Sequence, residues 1–123
     1  VAVAIALLRF VKLTSRPHAS VLGRIPGLPG LHDVTNYPEA QTWPGLVIFR
    51  FDGPLTFFNS AYFAERALAT ATAAGPGLRW FVLDTMPISS VDVTGVYTLR
   101  RVREELQARG VGIYLAGRSA QIV

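Results

Sequence analysis

RWFVLDTMPISSVDVTGVYTLRRVREELQARGVGIYLAG, residues 79–117, is the stretch whose reading decides the fold. It opens on an apolar run, Arg79 to Asp84, crosses the hydroxyl-rich SSVDVTG at 89–95, and ends on a second apolar run, VGIYLAG, at 111–117. Between them Val93, Val96, Leu99, Val102 and Leu106 recur every three or four positions, while Arg100, Arg101, Arg103, Glu104 and Glu105 fill the other side. That is the pattern of a helix with one apolar stripe, and Gly110 stops it. The nearly unbroken run at 79–84 predicts a strand covered on both faces, and 111–117 predicts another buried strand. Strand, helix and strand with short links imply a parallel pair joined by a right-handed crossover.

Working outward, LVIFRF (46–51) is rich in β-formers and closes on the turn Asp52-Gly53-Pro54. LTFF (55–58) follows. Asn59 or Ser60 then caps a helix to about Ala74, with Phe63, Ala67, Thr70 and Ala71 on its apolar face and Gly-Pro-Gly at 75–77 ending it. A second strand-helix-strand unit thus precedes the first, and the fold class is α/β with a mostly parallel sheet. Prolines and glycines break residues 17–30 into a linker and an irregular strand near 20–25, and 32–40 is extended at best; these pieces add edge strands.

The chain opens VAVAIALLRFVKLTSRP, with Arg9, Lys12 and Arg16 forming a basic stripe just after the apolar residues. Eight apolar or small residues are far fewer than the roughly 20 that span a bilayer, and a signal peptide carries its charge before its apolar run. Residues 1–16 therefore read as the end of a last transmembrane helix and its juxtamembrane segment, anchoring the chain in a cell membrane. The positive-inside rule puts residues 17–123, the folded domain, on the cytoplasmic side. The alternative is an amphipathic helix packed on its own domain. The formal net charge of +4 comes from the first 30 residues, because Arg and acidic residues balance beyond them, so no nucleic-acid partner is indicated.

The chemistry is bounded mainly by absences. Without cysteine there is no disulfide, thiol nucleophile or Cys-based zinc site, and His18 and His32 are too isolated to predict a metal. Asp52 and Asp84 end predicted parallel strands, where α/β sheets bind ligands, but turn-forming roles explain them more simply. No phosphate-binding glycine motif and no nucleophile elbow is present, so no catalytic residue is assigned and no cofactor is required. In SSVDVTG, Asp92 caps the helix by accepting from the amide of Thr94 or Gly95. Two readings stay open: a cap alone, or a cap that is also a binding or regulatory surface, with the hydroxyls of Ser89, Ser90 and Thr94 around free helix-start amides.

PGLVIFRFDGPLTFFNSAYF and the Asp-Val-Thr-Gly loop after a strand ending in Leu-Asp resemble the STAS domain of SulP-type anion permeases, over residues 20–117. The resemblance implies an anti-sigma factor antagonist-like fold, a mixed sheet flanked by helices, within a sulfate or related anion transporter. The partner it implies is the transmembrane domain of the same chain, and it allows a homodimeric parent. Some members of the family bind guanine or adenine nucleotides, so a guanine nucleotide, GTP or GDP, is the candidate ligand. Asp84, Ser89, Ser90, Asp92, Thr94 and Gly95, at the end of one strand and the start of its helix, and Phe57 and Asn59, from the adjacent strand-helix link, are its candidate residues. Antagonists of this family are phosphorylated one residue after the loop aspartate. Here that residue is Val93, which has no hydroxyl, leaving Thr94 and Ser90 as phosphorylation candidates. The family's last helix, after Gly117, is absent or cut short here. A free-standing antagonist-like interaction module is the alternative function.

Overall fold

Every second side chain of Leu46–Phe51 is buried, the mark of a strand whose sheet is covered on one face. In this computed structural model, which describes residues 1–117, that strand is β3. The order is α1 (Ala2–Ser15), β1 (Ala19–Arg24), β2 (Leu31–Asp33), β3 (Leu46–Phe51), α2 (Ser60–Ala74), β4 (Trp80–Asp84), α3 (Val93–Ala108) and β5 (Gly112–Ala116). The five strands lie in the order β2-β1-β3-β4-β5. β1 runs antiparallel to β2 and β3, while β3, β4 and β5 are parallel. The predicted first strand is therefore interior, and only β2 forms that edge.

Both α2 and α3 pack on the face carrying Val47, Phe49, Phe51, Phe81 and Leu83, where Phe63, Ala64, Ala67, Val102 and Leu106 complete the core. Phe63 meets Phe51 edge-on with ring centroids 5.1 Å apart. Burying each such ring contributes about 1.5–3 kcal/mol, so this layer carries most of the stability.

Four details depart from the expectations. β4 is not covered on both faces: its burial alternates, and Trp80 is exposed. The indole lies over Gly112, where an added Cβ would stand 2.8 Å from it. β5 is not buried throughout: it lies at the sheet edge, Ile113 packs partly on the core, and Tyr114, Leu115 and Ala116 are exposed. Asn59 does not cap α2 through its side chain. Instead its Oδ1 accepts from the Thr56 amide and its Nδ2 donates to Pro54 O and Thr14 O.

The fourth concerns α3. Its buried line is Gly95, Thr98, Val102 and Leu106, whereas Val93 is 71% exposed and Val96 is exposed too. Three-residue steps drift around a helix by about 60°, so Val93 and Val96 swing off the core while Leu99 stays partly buried against it. Gly95 takes that place because the helix start lies against the neighbouring loop: a Cβ there would stand 2.7 Å from Leu55 O. On α2 the same correction is smaller, since Ala64 is buried where Thr70 is only partly so.

The β1–β2 side is closed by His18 Nε2, 2.8 Å from Asp33 Oδ2. Burial would raise the Asp33 carboxyl, but the hydrogen bonds from His18 and the Thr35 amide outweigh it and hold Asp33 below its ordinary value.

Candidate functional site

The loops that leave β3 and β4 at the carboxyl edge of the sheet are joined side by side. The Leu55 amide donates to Ser90 O at 2.9 Å, and the Asp92 amide donates to Leu55 O at 3.1 Å. One carboxylate locks this pair: Asp92 Oδ1 accepts from the Gly95 amide at 2.7 Å, and Oδ2 accepts from the Phe57 amide at 2.8 Å. Asp92 is thus the predicted cap of α3 and also a tie to the preceding crossover.

That geometry sorts the predicted residues. Phe57, Ser90, Asp92 and Gly95 are brought together, and Asn59 stands beside them but is buried, its amide engaged by the chain around it. Asp84 Oδ1 accepts from the Met86 amide at 3.0 Å, closing the turn after β4. Asp52 lies 3.2 Å from Arg50 Nε. Asp84 thus takes the turn role that the simpler reading expects, while Asp52 forms an ion pair instead of a turn or cap bond. Ser89, Ser90 and Thr94 are exposed. No group of three His, Asp or Glu among the described residues is arranged to hold a metal.

Electrostatically, the start of α3 is already answered. The partial positive charge of its free amides faces the Asp92 carboxylate, so an arriving anion would meet a negative charge in its own place. A cavity of about 240 Å³ lies beside Ser89 and Ser90, lined mainly by Leu83, Ile88, Val91, Leu99 and Leu115. It is apolar and smaller than the roughly 300–1,000 Å³ of typical small-molecule pockets. A larger open cavity, about 780 Å³ between Trp43, Leu46, Thr70 and Ala74, touches none of the predicted residues.

What sequence reasoning missed is apolar surface. Phe57 is 72% exposed, and Phe58, Met86, Val93 and Tyr97 are exposed as well. The two phenylalanine rings meet edge-on at 5.6 Å. Two adjacent aromatics between a Gly-Pro turn and a helix start were the available signal. A second missed element is the joint with α1. Besides the Asn59–Thr14 bond of 3.2 Å, Arg16 lies over the Tyr62 ring at 5.4 Å, and Pro17 is buried beside Gly53. No residue of α1 is buried, so it is not packed on the domain. It spans 14 residues, and no helix among the described residues is long and apolar enough to cross a membrane.

The STAS domain family model matches residues 37–123. A probable sulfate transporter of Mycobacterium tuberculosis is 42% identical over 116 residues, covering 94% of this chain and 20% of that protein. High affinity sulfate transporter 2 of Stylosanthes hamata is 30% identical over 124 residues, covering 94% of this chain and 19% of that protein. Among solved structures, the murine Solute Carrier 26 family member A9 anion transporter in its inward-facing state superposes with a TM-score of 0.79 at 26% identity, over 92% of this chain and 18% of that one. The chain thus spans about a fifth of the length of the curated relatives it matches.

Proposed function

The chain belongs to the STAS domain family, and on that premise we propose that it is the cytoplasmic, non-catalytic regulatory domain of a SulP-type sulfate or anion transporter. The observation that carries this reading is the joint between α1 and the domain: an apolar helix with no buried residue, ending in a basic stripe, feeds straight into β1 through a buried Pro17. Such a helix is costly to leave in water and suits a chain that continues from a membrane part. The regulatory surface is the carboxyl edge, where Asp92 joins both crossover loops.

Cysteine labelling of the full-length parent tests the placement. With a single cysteine introduced at exposed Gln107, a membrane-impermeant maleimide should label inverted vesicles and spare intact cells. Labelling of intact cells would overturn it. The regulatory role predicts that Asp92→Ala changes anion uptake by the parent while its amount in the membrane stays constant.

Guanine nucleotide binding is a second reading, favoured by the exposed hydroxyls of Ser89, Ser90 and Thr94. The same exposure leaves Thr94 and Ser90 open to phosphorylation. Titrating GTP, with ATP as control, into the isotope-labelled chain should give saturable amide shifts in 84–95 and 52–60. No shifts at millimolar nucleotide would end that reading.

A further inference from the structure

Resting on the cytoplasmic, membrane-adjacent reading above, we infer that the Phe57–Phe58 loop is a second membrane contact, which dips into the headgroup layer of an anionic bilayer and sets the carboxyl edge of the sheet against it. The first ground is position. β1 begins at the carboxyl end of β3, with Ala19 paired to Phe51, so α1 meets the domain at the edge from which the Pro54–Asn59 loop projects. The Asn59 amide ties that loop to the last turn of α1 through Thr14 O at 3.2 Å, and Phe58 is its chain neighbour.

The second ground is how the aromatics are held. The Phe57 amide is fixed by the Asp92 carboxylate at 2.8 Å and the Phe58 amide by Thr56 Oγ1 at 3.3 Å, which presents both rings outward on a braced backbone. Aromatic rings exposed this way fit the boundary between headgroups and acyl chains.

Charge complementarity names the occupant. Arg9, Lys12 and Arg16 are exposed on or just after α1, and each basic residue near an anionic surface adds about 1 kcal/mol of attraction. The acids nearest the loop are already engaged: Asp92 by two backbone amides and Asp52 by Arg50. The three exposed basic residues outnumber these two acids, so the attraction for an anionic lipid comes from that stripe and not from the start of α3.

The chain has no cysteine, so one introduced cysteine can be labelled cleanly. The 123-residue chain carrying Phe57→Cys with an environment-sensitive fluorophore is mixed with phosphatidylserine-containing vesicles, and Gln107→Cys on the opposite edge serves as control. The expected result is a blue-shifted, brighter signal at position 57, none at 107, and loss of the signal in high salt. Phe57→Ser with Phe58→Ser should also weaken vesicle binding about tenfold, roughly what partial burial of two rings supplies, with the far-ultraviolet circular dichroism spectrum unchanged.

A chain that binds vesicles through α1 with no signal change at position 57 would overturn the inference and leave the membrane-adjacent reading standing. In that case the loop would face the protein part of the transporter. Failure to bind vesicles at all, together with labelling of intact cells at Gln107→Cys, would overturn both.

Discussion

α1 and α3 are helices of similar length, 14 and 16 residues, and both carry long apolar side chains, yet they meet opposite fates. α3 buries Val102 and Leu106 completely, whereas α1 buries nothing and leaves Leu7, Leu8 and Phe10 to solvent. The difference lies in what surrounds them. α3 is pinned at its start by Asp92 and backed by the Phe49, Phe81 and Leu83 face, while among the described residues α1 is tied to the domain through its last turn and the following Arg16 and Pro17. Hydrophobicity makes a helix seek cover, and topology decides whether its own chain can give it.

The sharpest way to break this comparison is to delete the same kind of side chain from each helix. Leu106→Ala leaves a cavity in the core and should cost about 2–5 kcal/mol in urea unfolding. Leu8→Ala should change that stability by less than about 0.5 kcal/mol while lowering binding to vesicles. Equal losses of stability would mean that α1 packs on the domain in solution.

The seat of α3 comes next. Gly95→Val drives a side chain into Leu55 O and Val91, atoms that cannot both yield, and should cost about 1–3 kcal/mol in the same assay. A stability near that of the parent would show that α3 can slide along its groove.

Asp92→Ala removes the helix cap and the tie to Phe57 together, with an expected cost of about 1–2 kcal/mol. Its distinguishing sign is faster amide hydrogen exchange at both Phe57 and Gly95. Faster exchange at Gly95 alone would mean the link between loops is incidental.

The smallest effect is acid sensitivity. α1 holds no acid, so this titration belongs to the globular side of the comparison. Asp33 sits below its ordinary value when folded, so its contribution is complete above the unfolded carboxylate value and fades as pH falls through the lower, folded one. Asp33→Asn should flatten the pH dependence of stability in that acidic window. An unchanged acid slope would remove Asp33 from the account.

Much of this was legible in the residues. β3 matches LVIFRF residue for residue, α2 runs Ser60–Ala74, and Asp92 caps α3. Local chemistry sufficed there, because a turn, a cap or a glycine stop acts within a few residues. The misreadings concern faces. Spacing placed Val93 and Val96 inward, but the close approach of Leu55 O reserves that side for Gly95 and Thr98. The apolar run of β4 looked doubly covered, whereas its outward residues lie on a face the helices do not reach, with Trp80 shielding Gly112. For the candidate site, Asp92 and its loop could be read because a capping residue announces itself. The Phe57–Phe58 pair was marked only by its place between a Gly-Pro turn and a helix start, and that its rings stay uncovered depends on neighbours distant in the chain.

The Asp92 carboxylate also has a genetic meaning. It serves amides at positions 57 and 95, one of them 35 residues away in the chain. Proline at 57 has no amide to offer, so it and Asp92 make an incompatible pair of alleles. A change at Asp92 is therefore felt at residues 54–58 as directly as at the start of α3.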